Sequence, residues 1–265
     1  MDDEYLNWRA WRARRELELL EPHGWLSLTS LTWLGAEPTP LPDFPGRWSA
    51  RGEGRSWVVT VAIDEGDAVD RDGLPLGSTV VAFPLADGAG DATLSHGDIV
   101  AEVAQRGHGV IVRVRNPRAA TRLGFRGVPA FDVDLDWVRP ARFTPADGPR
   151  EIEVPSAQEG LGTRIVEVGR ALVTLPDDTM VDLEVTDLHG DLVVIFHDAT
   201  NGVETSAWRR APLVAERDGW VVDFNLAQNF PAHFTPFGTC PAPPDGQTVP
   251  LAVRAGEKIP AEPAR

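Results

Sequence analysis

The chain has 265 residues, 42% hydrophobic and 25% charged, with 40 acidic against 25 basic side chains and a net charge of −15. This is an ordinary composition for a globular protein with one large core or two small ones, and its negative field argues against extensive contact with nucleic acid or anionic lipid. A single cysteine, Cys240, rules out an internal disulfide framework and a thiolate-rich zinc site.

The opening Met-Asp-Asp-Glu lacks the basic start and apolar run of a secretory leader. No window approaches the ~18 apolar residues of a membrane span, so a cytoplasmic protein without membrane contact is expected. Residues 4–21 predict a helix, with Asp2 or Asp3 as its cap and Pro22 and Gly24 at its end. Tyr5, Trp8, Ala13, Leu17 and Leu20 give it an apolar face, interleaved with Arg9, Arg12 and Arg15. In so acidic a chain these arginines are expected to pair internally rather than to meet a membrane. The run Trp25–Leu34 alternates like a strand but also carries Leu28, Leu31 and Leu34 at helical spacing.

From there the signals are β. Trp57–Ile63, Ser78–Phe83 and Val110–Val114 are β-branched runs, and Ala92–Ser95 and Asp98–Val103 flank a predicted turn at His96-Gly97. The second half continues with Arg150–Val154, Thr163–Val168, Ala171–Leu175, Val181–Val185 and Leu192–Phe196, with turns at Asp177-Asp178, His189-Gly190 and Asp218-Gly219. Without βαβ alternation, this predicts a mainly β fold, a β-sandwich or barrel-like pair of packed sheets. An N-terminal amphipathic helix would precede it, and a long ordered Pro/Asn-rich C-terminal loop would close it. Residues 1–265 are read as one domain, with a weak internal join near Pro140.

The signatures of P-loops, dinucleotide folds, serine hydrolase elbows and zinc proteases are absent. Asp132, Asp134 and Asp136 mimic the start of a calcium loop. Trp137 and Phe143 stand where that loop needs glycine and glutamate, so an exposed strand face is the simpler reading. Arg113, Arg115, Arg118, Arg122 and Arg126 form a basic island that reads either as an anion site or as internal pairing.

Two segments concentrate candidate chemistry. In Phe196–Arg210, Asp198 and Glu204 would face each other beside a turn at Asn201-Gly202, as carboxylates able to divide acid and base roles. Thr200 and Arg209 would hold the substrate there; the competing reading is a polar hairpin tip capped by Asp198 and Thr200. In Asp223–Pro244, Asp223, Asn225 and Asn229 would coordinate a hard cation or orient a polar ligand, with His233 as a base or a soft-metal ligand. Equally, these side chains would satisfy the backbone of a buried irregular loop. Lys258, the only lysine, either reaches that site or bridges on the surface.

Together these segments resemble the DUF1684 family, bacterial and archaeal proteins named for having no assigned function. The resemblance rests on Gly24-Trp25-Leu26-Ser27-Leu28, Thr32-Trp33-Leu34, Phe196, Asp198, Thr200, Gly202, Glu204, Thr205 and Arg209. It continues through Asp223-Phe224-Asn225, Ala227, Asn229, Cys240-Pro241, Pro243-Pro244 and Ala255-Gly256-Glu257-Lys258. It implies no chemistry. It also marks departures: Ala232 stands where family members carry cysteine, Gln228 and Ser206 where they carry tyrosine, and Asp245-Gly246 where they carry Glu-Asn. The function expected is a small-molecule enzyme of acid/base or hydrolytic type, with no cofactor implied. The alternative is a non-catalytic binding or structural protein whose C-terminal loop plugs the β scaffold.

Overall fold

The structure is a computed structural model that describes residues 2–261 except 55, 65–66, 68, 72–73, 77–78 and 87–91. Helix α1 runs Asp2–Leu19; the side chains of Asp2, Asp3 and Tyr5 lie outside the described part. No helix among the described residues is long and apolar enough to cross a membrane. The protein is mainly β and divides into two compact units, one of residues 18–125 and one of residues 1–17 with 126–265. The junction falls at residue 126, and Pro140 lies inside a strand.

In the 18–125 unit, the run at Trp25 resolves into a short 3-10 turn over Trp25–Ser27 and then strand β1, Leu28–Leu34, so alternation prevails over helical spacing. There follow β2 (Thr39–Leu41), β3 (Phe44–Glu53), β4 (Ser56–Ile63), β5 (Val69–Arg71), β6 (Leu74–Leu76) and β7 (Thr79–Ala86). The unit ends with β8 (Ala92–His96), β9 (Ile99–Arg106) and β10 (Gly109–Arg115). The expected strand start at Ser78 lies outside the described residues. Two antiparallel sheets, β1-β10-β9-β8-β5-β6 and β2-β3-β4-β7, share one core around Trp48, Val61, Val103 and Val112. The basic island proves largely internal here. Arg113 and Arg115 both donate to Glu102 and lie over the Trp25 ring, and Arg118 pairs with Asp98.

The other unit is a closed barrel. Its strands are β11 (Val138–Pro155), β12 (Gly162–Thr174), β13 (Met180–Leu188), β14 (Asp191–Asp198), β15 (Arg209–Glu216) and β16 (Gly219–Asp223). They pair antiparallel in the ring β15-β16-β11-β12-β13-β14, and β14 pairs back to β15. Short strands β17 (Gln228–Asn229) and β18 (Thr248–Val249) extend β15 and β14. Closure removes exposed strand edges, and inward residues alternate as the pleat requires: Val194 and Phe196 on β14, Ala211 and Leu213 on β15. Two separately expected strands, Thr163–Val168 and Ala171–Leu175, are one strand with an irregularity at Gly169.

Candidate functional site

Alternation decides which polar groups enter the barrel. Asp198 continues the inward row Val194, Phe196, and Arg209 continues the inward row Ala211, Leu213, so the two meet at one mouth of the barrel. Arg209 Nη2 donates to Asp198 Oδ2 at 2.8 Å, and neither side chain has any exposed surface. The same guanidinium donates to the carbonyls of Val253 (2.9 Å), Ala255 (2.5 Å) and Glu257 (3.1 Å), and packs over the Phe196 ring. Burial lowers the Arg209 pKa, and Asp198 opposes that shift. Asp198 Oδ1 accepts from the Thr200 amide (2.7 Å), the Thr200 hydroxyl (2.5 Å) and the Val253 amide (3.3 Å). Thr205 and Asn201 complete this network, the Thr200 and Thr205 hydroxyls lying 2.7 Å apart. The segment 198–209 is therefore a polar turn whose charges hold residues 253–257 across the barrel mouth.

Glu204 does not face Asp198: its carboxylate pairs at the surface with Arg254 Nε at 3.0 Å. Asp223 Oδ1 accepts from the Asn225 amide (2.9 Å) and side chain (3.1 Å). Asn225 bonds both the amide and the carbonyl of Asp134, at 2.9 Å each, as a third strand would. The Asn229 amide donates to Glu257 Oε2 (2.6 Å), and its side chain donates to the Lys258 carbonyl (2.8 Å). Glu257 in turn accepts from Arg15 of α1 at 3.2 Å, so one buried carboxylate ties the helix to the C-terminal segment. The Lys258 ammonium lies 4.4 Å from the Phe131 ring centroid. His233 packs edge-on against Trp208 with ring centroids 4.8 Å apart, its Nε2 buried without a partner. Burial lowers the His233 pKa, and a hydrogen bond with the Trp208 backbone opposes this.

The structure thus joins Asp198, Thr200 and Arg209 in one enclosed cluster, which the Glu257 carbonyl links to the Asn229–Glu257 pair. The side chains of Glu204, Asn225, His233 and Lys258 are held elsewhere. Cys240 is buried in a small apolar cluster with Phe230 and Ile195. Among the described residues, no group of three or more His, Cys, Asp or Glu side chains is placed to hold a metal ion.

Sequence reasoning passed over the neighbour of Arg209. Because adjacent strand residues face opposite ways, Arg210 leaves the barrel for its outer surface. There it lines a groove of about 440 Å³ with Trp11, Leu192, Val193, Pro212, Leu226 and Gln228. Among the described residues, the one hydrogen bond of its guanidinium is to a neutral group, Gln228 Oε1, at 3.0 Å, and it stacks over Phe230. It makes no ion pair among the described residues. Its pKa is lowered, first by burial and then by the nearby positive charge of Arg15. The legible signal was the Arg-Arg pair itself, which on any strand sends one guanidinium each way.

A second, wider cleft of about 650 Å³ lies over an irregularity of β11 and β12, walled by Arg142, Arg150, Arg170, Glu167 and Asp182. Arg150 is bound to Glu167, and Arg170 to Asp182 and Glu184, so most of its charge is internally neutralised.

The model of the DUF1684 family, described as a protein of unknown function, matches residues 123–258. That span contains the 198–209 turn and the C-terminal segment, and excludes the motifs at 24–28 and 32–34. The solution NMR structure of an uncharacterized protein of Haloarcula marismortui is 27% identical, covering 52% of this chain and 78% of that one, with a TM-score of 0.42. No curated protein matches the chain.

Proposed function

Since the chain belongs to the DUF1684 family, whose description assigns no activity, we propose from its own geometry that it is a small-molecule-binding protein that seats an organic anion at Arg210. The polar residues of the 198–209 turn and the C-terminal segment serve as the clasp of the barrel. An acid/base mechanism through Asp198 and Glu204 draws no support, because one is enclosed and the other is paired outside. The observation that carries the reading is the half-buried Arg210 guanidinium, held by a neutral amide in a groove of mixed polar and apolar lining and ion-paired to no carboxylate among the described residues. A guanidinium fork matches a carboxylate in two parallel hydrogen bonds, which strengthen as water is excluded. The volume lies in the range of about 300–1,000 Å³ common for small-molecule sites.

The test is thermal unfolding of the full chain with hexanoate, a carboxylate on an apolar chain. Saturation at about 100 times its dissociation constant adds about 2.7 kcal/mol of stability. The shift is expected in the native protein and in Glu204→Gln, and absent in Arg210→Gln. An equal shift in Arg210→Gln overturns the reading.

A further inference from the structure

The groove at Arg210 has a second charged end. On the outer face of β14 the alternate residues are Asp191, Val193 and Ile195; on β15 they are Arg210, Pro212 and Val214. Ile195 stands opposite Arg210 and Val193 opposite Pro212, so an apolar rung separates Arg210 from Asp191. Asp191 lies four residues from Ile195 along the strand, about 13 Å at a rise of 3.3 Å per residue. Both charged side chains line the same groove, with Trp11 as one wall and Leu192 and Leu226 among the apolar lining. Asp191 is exposed and makes no side-chain hydrogen bond or ion pair among the described residues, although its charge is felt at Arg210.

We infer that the ligand is a zwitterion with its carboxylate and its ammonium at opposite ends of an apolar body, as in an ω-amino acid or a short apolar peptide. This rests on the anion seat proposed above. Arg210 and Gln228 would take the carboxylate, Asp191 the ammonium, and the Val193–Pro212 rung and Trp11 the body between them. Three features agree. The two charges are unlike, so a dicarboxylate would meet repulsion at Asp191 and a diamine at Arg210. They are held one apolar rung apart and form no ion pair with each other among the described residues, although Asp191 acts to raise the Arg210 pKa. The Val193 and Pro212 side chains of the rung between them are apolar, which suits methylenes or apolar side chains. In a protein of net charge −15, an ammonium also relieves the general repulsion that a simple anion meets on approach.

The experiment compares 6-aminohexanoate, hexanoate and hexylamine by calorimetric titration of the full chain, its Asp191→Asn variant and its Arg210→Gln variant. In the native protein 6-aminohexanoate should bind about three- to fivefold more tightly than hexanoate, the range of one partly exposed ion pair. Asp191→Asn should erase that preference while keeping hexanoate affinity, and Arg210→Gln should abolish both. Should 6-aminohexanoate and hexanoate bind equally to the native protein, and both depend on Arg210, the zwitterion is overturned and the anion seat stands. Should binding not depend on Arg210 at all, both fall. Arg210→Lys, which keeps the charge but not the fork, replaces Arg210→Gln if the latter does not fold, and is expected to weaken both ligands.

Discussion

Asp198 and Glu204 sit six residues apart in one turn, and their surroundings give them opposite energetic weight. Asp198 balances a guanidinium that has no access to water, so Asp198→Asn strands the Arg209 charge in the barrel mouth. Breaking one side of a buried pair costs about 3–5 kcal/mol, which should appear as a large fall in the urea midpoint. Glu204 meets Arg254 near the surface, and Glu204→Gln should cost less than about 1 kcal/mol. Equal losses from the two variants would mean that the mouth is open to water. His233 carries a different signature. Its ring is held below the ordinary value of 6.5 by burial, so the unfolded chain takes up a proton more readily than the folded one. Stability from this group is therefore full above about pH 6.5 and is lost as pH falls through the window below it. Urea midpoints from about pH 8 down to about pH 5 should fall less steeply in His233→Phe than in the native protein. Parallel curves would place the ring in water.

Among the elements, β11 and β12 show how one residue shapes a sheet. A side-chain carbon at Gly169 would lie 2.4 Å from the Thr144 carbonyl oxygen and 2.7 Å from the Phe143 ring. Only glycine lets the two long strands press together there, where the β11–β12 register shifts between Pro145 and Arg150 and the β12–β13 register between Glu167 and Gly169. Irregularities of this kind bend a strand and raise its twist, as barrel closure requires. Gly169→Ala should therefore destabilise by about 1–3 kcal/mol in urea unfolding, against a few tenths at an unconstrained position. This strand was visible in the sequence only as two pieces, because the glycine that keeps it continuous reads locally as a break. Elsewhere local chemistry was sufficient. Asp178 and His189-Gly190 adopt positive φ at the tips of hairpins, as their residue types favour. Leu28–Leu34 was ambiguous by periodicity and became a strand because β10 offered it a partner.

For the molecule as a whole, composition and alternation set the class. Short β-branched runs with turn residues between them can bury their apolar faces only by packing sheets together, and the helix and the long ordered C-terminal segment were legible from apolar spacing and prolines. The polar candidates were legible only in part: Asp198, Thr200 and Arg209 come together, whereas Glu204, Asn225, His233 and Lys258 are held elsewhere. What each one does was fixed by long-range pairing. Whether Arg209 or Arg210 faces water depends on where β15 joins β14, and one partner of Asp198, the Val253 amide, comes from 55 positions onward. Ring closure, the carbonyls that occupy Arg209, and the groove in which Arg210 and Asp191 make no ion pair among the described residues are contacts between distant segments. A sequence states residue types and local spacing; it does not state which faces meet. The chain alone therefore determined a mainly β fold with a polar C-terminal segment, and the tertiary structure decided which of its polar side chains are enclosed and which lie at the surface.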